Sequence, residues 1–203
     1  MRRDFLTQNL SLEIRNLDNG KIPYIYLYKF DDGTFIDAFA LPENFYFEFS
    51  TSHFGYKKLV VISSSSSYYI LDIETNKLAG PFKPNYRREL DDAVSARIHS
   101  LNIIENGNYL TFNATGDNFR MDISDPSNPI EVLIVEIDNS WVRDEPYNGN
   151  VIMKLPIETE CEIVSRGKKE VIRDEEDYWY KIRYKDKEGY IFGSQTSVKL
   201  KRQ

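Results

Sequence analysis

The chain has 203 residues, 41% hydrophobic and 14% aromatic, enough to fill one large or two small cores and to exclude wholesale disorder. Its formal net charge of −6 comes without a basic stripe, which argues against nucleic acid or an anionic lipid surface as the main partner. The single cysteine, Cys161, excludes an intramolecular disulfide, and no run of about 18 apolar residues is present to span a membrane.

The opening MRRDFLTQNLSLEIRNLD has two arginines but no apolar stretch behind them, so it is not an intact signal peptide. Two locations stay open: the cytoplasm, or the periplasm, cell surface or medium after removal of a leader. From Ile22 onward strand signals dominate. IPYIYLYKF, NFYFEF, KLVVISS, YYILDI, YLTF and EVLIV are short runs rich in β-branched and aromatic side chains. Asp31-Asp32-Gly33, Thr75-Asn76-Lys77, Asn106-Gly107-Asn108 and Thr115-Gly116-Asp117 separate them as turns. Ser63 to Ser67 lies between two apolar runs and reads as a hairpin loop. Asn85 to Ala96 is the one helical candidate, and a charged loop fits it equally well. The class is all-β.

YLYKFDDGTFI, YYILDIETNKL and FRMDISDPSNPIEV each read as strand, acidic turn, strand. Lys29, Asp72 and Asp122 hold equivalent places in them, at spacings of 43 and 50 residues. The pattern resembles β-propeller blades, four-stranded meanders of roughly 40 to 45 residues. The third copy matches best: Asp122 and Asp125 are placed to accept backbone N–H bonds, and Pro126 and Pro129 to fix the exit of the turn. Three copies fall short of a closed ring of blades, so residues 1–135 are expected to form a blade-like antiparallel meander domain, as a sheet, a sandwich or a partial propeller.

Residues 136–203 read differently, and no Pro/Gly-rich linker separates them from the first part. Trp141-Val142-Arg143-Asp144-Glu145-Pro146 precedes Gly149 and the strand residues Val151, Ile152 and Leu155; Cys161, Ile163 and Val164 lie on a second strand. Trp179-Tyr180-Lys181-Ile182 and Lys187-Glu188-Gly189-Tyr190-Ile191 then form an aromatic strand pair. In order and spacing this segment resembles the bacterial SH3-like domain. The resemblance implies a small β-barrel used as a targeting or ligand-binding appendage, with cell-wall peptide or a protein as partner.

Period-two alternation puts Tyr180, Ile182 and Tyr184 on one face and Trp179, Lys181 and Arg183 on the other. If the Ile182 face is core, Trp179 stands at the surface. The expected ligand groove is therefore built from Trp179, Tyr178 and Tyr190, with Arg173 at its rim in a charged loop from Arg166 to Asp177.

Signals for chemistry are few. Cys161 alternates with Ile163 on a strand and reads as a small buried hydrophobe, not a nucleophile. His53, read in a loop, and His99, read in a strand, sit in no metal-ligand motif, and no nucleotide fingerprint occurs. No motif calls for a cofactor or a metal. Asp31/Asp32, Asp91/Asp92 and Asp122/Asp125 sit in turn contexts, so a carboxylate-dependent hydrolase is the third reading. The first is a non-catalytic binding or adaptor protein of a bacterial cell envelope or secreted pool. The second is a small acidic protein that binds and neutralises a toxin or wall hydrolase.

Overall fold

The computed structural model describes residues 2–7, 10–17, 22–29, 35–40, 51–54, 59–64, 67–85, 98–114 and 116–199. They form seventeen strands, and the helical pieces among them are single 3₁₀ turns, so the all-β class holds. NFYFEF, Asp31-Asp32-Gly33, Thr115 and all but Asn85 of the helical candidate lie outside the described residues. Among the described residues no helix is long and apolar enough to cross a membrane.

The first twelve strands fall into three antiparallel meanders of four. They are β1 (Arg2–Thr7), β2 (Leu10–Leu17), β3 (Ile22–Lys29) and β4 (Phe35–Ala40); β5 (Thr51–Phe54), β6 (Leu59–Ser64), β7 (Ser67–Asp72) and β8 (Lys77–Phe82); and β9 (His99–Ile104), β10 (Tyr109–Ala114), β11 (Asp117–Asp122) and β12 (Ile130–Ile134). Lys29, Asp72 and Asp122 are each the last residue of the third strand of a meander. The internal repeat is thus a structural repeat. Ser64 pairs with Ser67 across the β6–β7 hairpin, so Ser63, Ser64 and Ser67 of the expected loop lie on its strands, and Ser65 and Ser66 lie outside the described residues. His53, expected in a loop, is instead on β5 opposite Val61.

Two of the three repeat positions carry the same turn chemistry. Asp72 accepts the backbone N–H of Glu74 at 2.9 Å and the Thr75 hydroxyl at 2.8 Å. Asp122 accepts the Ser124 N–H and hydroxyl at 2.8 and 2.6 Å, and Asp125 repeats the motif on Ser127 at 3.0 and 2.6 Å. Each carboxylate offers the backbone a partner just where the ladder ends. The two Ser127 bonds hold the Asp125 carboxyl below its usual range.

Asp144, bound by Asn150, and Glu188, beside Lys181 and Arg183, are lowered in the same direction. A folded pKa below the unfolded one means stability that is full above the ordinary carboxylate range, about pH 4, and lost as pH falls through the folded values. Urea midpoints are therefore expected to hold through neutrality and to drop in acid. The difference between wild type and Asp125→Asn should shrink over that acid limb; a gap independent of pH would contradict this assignment.

Alternation along the strands builds the first core. Leu110, Phe112 and Ala114 on β10 and Phe119 and Met121 on β11 are buried, and they share one core with Leu59, Val61, Tyr68 and Ile70 of the second meander. The Phe112 ring stacks on Phe119 at 5.1 Å and meets Tyr68 at 5.5 Å. Each fully buried side chain of this size contributes roughly 1.5–3 kcal/mol.

The third meander does not end at β12. Its sheet continues through β15 (Glu160–Ile172), β16 (Glu175–Tyr184), β17 (Lys187–Phe192), β13 (Ser140–Arg143) and β14 (Val151–Leu155), giving nine strands in the order β14-β13-β17-β16-β15-β12-β11-β10-β9. The small barrel expected at the C-terminus is corrected in one respect: the sheet does not close. β12 occupies the outer edge of β15, and β14 is left at the end of the sheet. Leu133 and Val135, on the N-terminal side of the 135/136 division, are buried with Val142, Leu155, Cys161, Tyr180, Ile182 and Ile191 in a second core.

Candidate functional site

Most of the exposed apolar side chains of the described C-terminal strands lie on β13, β14 and the segments that flank them. Ser140 and Val142 of β13 are buried, so Trp141 and Arg143 between and beyond them face out. After Arg143 the chain leaves the ladder in a tight loop. Asp144 closes it by accepting the Asn150 N–H at 2.7 Å and its side-chain amide at 3.1 Å, while Arg143 donates to the Gly149 carbonyl. Only glycine fits at 149, since a Cβ there would stand 2.2 Å from the Glu145 carbonyl oxygen. The loop presents Tyr147, which has a φ of 62° and is 56% exposed.

Trp141 is 46% exposed, and the Arg143 guanidinium lies 5.2 Å from its ring centroid. Tyr190 stands opposite both Arg143 and Lys181 on this face. Val151 and Lys154 of β14 lie opposite Arg143 and Trp141. Of the eight large apolar side chains exposed among the described residues, six fall between Ile137 and Ile157. Below the patch the outer face turns ionic: Arg183 bridges Glu162 at 2.8 Å and Glu188 at 2.7 Å, and Lys181 meets Glu188 at 2.6 Å. These cross-strand pairs hold β15, β16 and β17 in register.

The four residues expected to form a groove do not converge. Trp179 is 3% exposed, not surface-standing. Its ring packs on Phe192 of the neighbouring strand at 5.3 Å, and its Nε1 donates to Glu170 at 3.0 Å. The segment from Arg166 to Asp177 is no loop. It is the far end of a β15–β16 hairpin, whose register shift between Arg166 and Lys169 sets Gly167 against the Trp179 backbone. Tyr178 is half-buried against the second core, with the Arg166 guanidinium 4.5 Å from its ring. Arg173 is exposed in the two-residue turn at the hairpin tip. Of the four, Tyr190 alone stands beside Trp141 at the surface; Trp179 shares the strand face of Lys181 but is covered.

Cys161 is buried among Leu133, Tyr180 and Ile182, and burial, helped by the charge of Glu160, pushes its thiol up to about 12. It is protonated at neutral pH, and a thiol in that state is a poor nucleophile. Among the described residues no group of three or more His, Cys, Asp or Glu side chains is placed to hold a metal ion. Searches against family models, curated proteins and solved structures find no match to this chain.

Proposed function

We propose that the protein is a non-catalytic binding or adaptor protein whose C-terminal strands act as an SH3-like recognition module, taking a cell-wall peptide or a protein segment on the surface formed by Trp141, Tyr147, Val151 and Tyr190. The observation that carries this reading is the gathering of exposed aromatic and aliphatic side chains on β13, its loop and β14. Aromatic rings with a polar neighbour at the rim are the usual anchors of such surfaces, because they bury large areas at small entropic cost. A loop braced by Asp144, Asn150 and Gly149 holds Tyr147 in place before a partner arrives, which lowers the cost of binding.

The test is co-sedimentation with intact peptidoglycan beside affinity capture with partner identification, comparing wild type with Trp141→Ala and Tyr147→Ala. Trp141→Ala is expected to weaken binding by about 2 kcal/mol, the scale of an interface hot spot. Folding stability should change by no more than about 0.5 kcal/mol, because the ring lies at the surface. Binding that survives both substitutions would refute this surface.

A further inference from the structure

β12 pairs with β11 only at Met121↔Glu131 and Asp122↔Ile130, then turns to β15. Beside this fork lies a cleft of about 310 Å³, remote in the sheet order from β13 and β14, lined by Thr111, Asn113, Asn118, Arg120, Val132 and Ser197. We propose that this cleft binds a neutral polyhydroxylated ligand of monosaccharide to disaccharide size, a function separate from the Trp141 surface.

The charge pattern of the described lining disfavours an anion. Among the described residues Arg120 is the one cation in the lining, and it is already engaged: its Nη2 meets Glu105 at 2.7 Å, its Nε lies 3.7 Å from Glu160, and its guanidinium sits 4.0 Å from the centroid of the Tyr109 ring. The Tyr109 hydroxyl donates to the same Glu160 at 3.0 Å. One guanidinium between two carboxylates leaves no positive charge for a phosphate or carboxylate ligand. The other polar groups are uncharged hydroxyls and amides, each able both to donate and to accept. That is the complement of a sugar hydroxyl.

The spacing favours a ring over a chain. Thr111 stands opposite Arg120 and Asn113 opposite Asn118, on one face. Neighbouring strands lie about 5 Å apart and alternate residues about 7 Å apart, so these four groups cover one patch of roughly pyranose dimensions. The Asn113 amide donates to the Asn118 side chain, which orients the pair. Ile134, part-exposed, adds aliphatic surface for the C–H face of a ring, and the buried Val132 and Val198 also line the cleft. The volume is at the lower end for small-molecule sites, about 300 Å³.

The experiment is a titration of the full chain, followed by amide chemical shifts, with glucose, N-acetylglucosamine, maltose and N,N′-diacetylchitobiose, and in parallel with triglycine and inorganic phosphate. At least one sugar is expected to bind with a Kd of about 10 mM or tighter. The shifts should cluster at Thr111, Asn113, Asn118 and Ser197. Asn113→Ala should weaken that sugar about tenfold, the loss of a hydrogen-bonding group; Trp141→Ala should leave it unchanged. The proposal is overturned if no sugar binds, if triglycine or phosphate shifts these resonances instead, or if the shifts of wild type map elsewhere. The wild-type shift map decides the matter even if Asn113→Ala does not fold.

Discussion

Trp179→Ala is expected to cost about 3–5 kcal/mol of folding stability, the usual price of deleting a large buried ring. Two contacts are lost together, the tilted packing on Phe192 and the Nε1 bond to Glu170, while the close approach of Gly167 to the backbone and Cβ of residue 179 is kept. The Glu170 carboxylate loses its indole donor, which adds to the cavity cost. Urea denaturation reads the loss directly. Trp179→Phe should recover part of it, since an aromatic ring still meets Phe192. Any drop in ligand binding should follow the folded fraction and vanish when corrected for it. Selective loss of binding in a fully folded Trp179→Ala protein would reinstate this tryptophan as a ligand residue. Trp141→Ala is the mirror case, with binding lost and stability kept.

The contrast between the two tryptophans shows what alternation can and cannot tell. It separates Trp179 from Tyr180 and Ile182 correctly, and the Ile182 face is indeed core. It carries no information on whether the second face is also covered. Here Phe192 of β17 covers it together with Glu170, and Glu170 is brought there by a hairpin whose turn, Arg173-Asp174, has none of the glycine or asparagine that marks such turns. Both residues take positive φ, of 48° and 66°, which the residue types do not advertise. Trp141 had its own signal in Ser140-Trp141-Val142-Arg143, where the aromatic alternates with a buried valine.

The three meanders were far more legible, because each copy of the repeat carries an acidic segment between strand signals and, at Asp72 and Asp122, the turn chemistry is local. Asp72 and Asp122 bond residues two and three positions on, so the fragment contains its own explanation. β1 and β2 were missed although Leu10, Leu12 and Ile14 alternate with Ser11, Glu13 and Arg15 in the period of a strand. The path of β12 was out of reach for another reason. A strand five residues long has two edges, and which neighbours take them is decided by chain segments up to 63 residues away.

That path sets the last expectation: residues 136–203 in isolation should not fold, whereas 128–203 should. β12 lies inside the C-terminal unit. On one side it pairs Val132, Leu133 and Ile134 with Glu162, Cys161 and Glu160. On the other, the Ser197 N–H donates to the Ile134 carbonyl at 2.9 Å, the Ile134 N–H donates to the Ser197 hydroxyl at 3.0 Å, and Val135 bridges to Thr196. Cutting at 136 removes Leu133 and Val135 from the second core, leaves the edge of β15 bare and frees the chain after β17. Losing a buried leucine alone costs about 2–5 kcal/mol. A unit of this size seldom holds more than about 3–5 kcal/mol in total, so the shorter fragment has nothing left to spare. Circular dichroism and thermal melts of the two fragments provide the comparison, with Leu133→Ala in the full chain as the milder form of the same lesion. If 136–203 melts as cooperatively and as high as 128–203, β12 is only a neighbour of the unit and not part of its core.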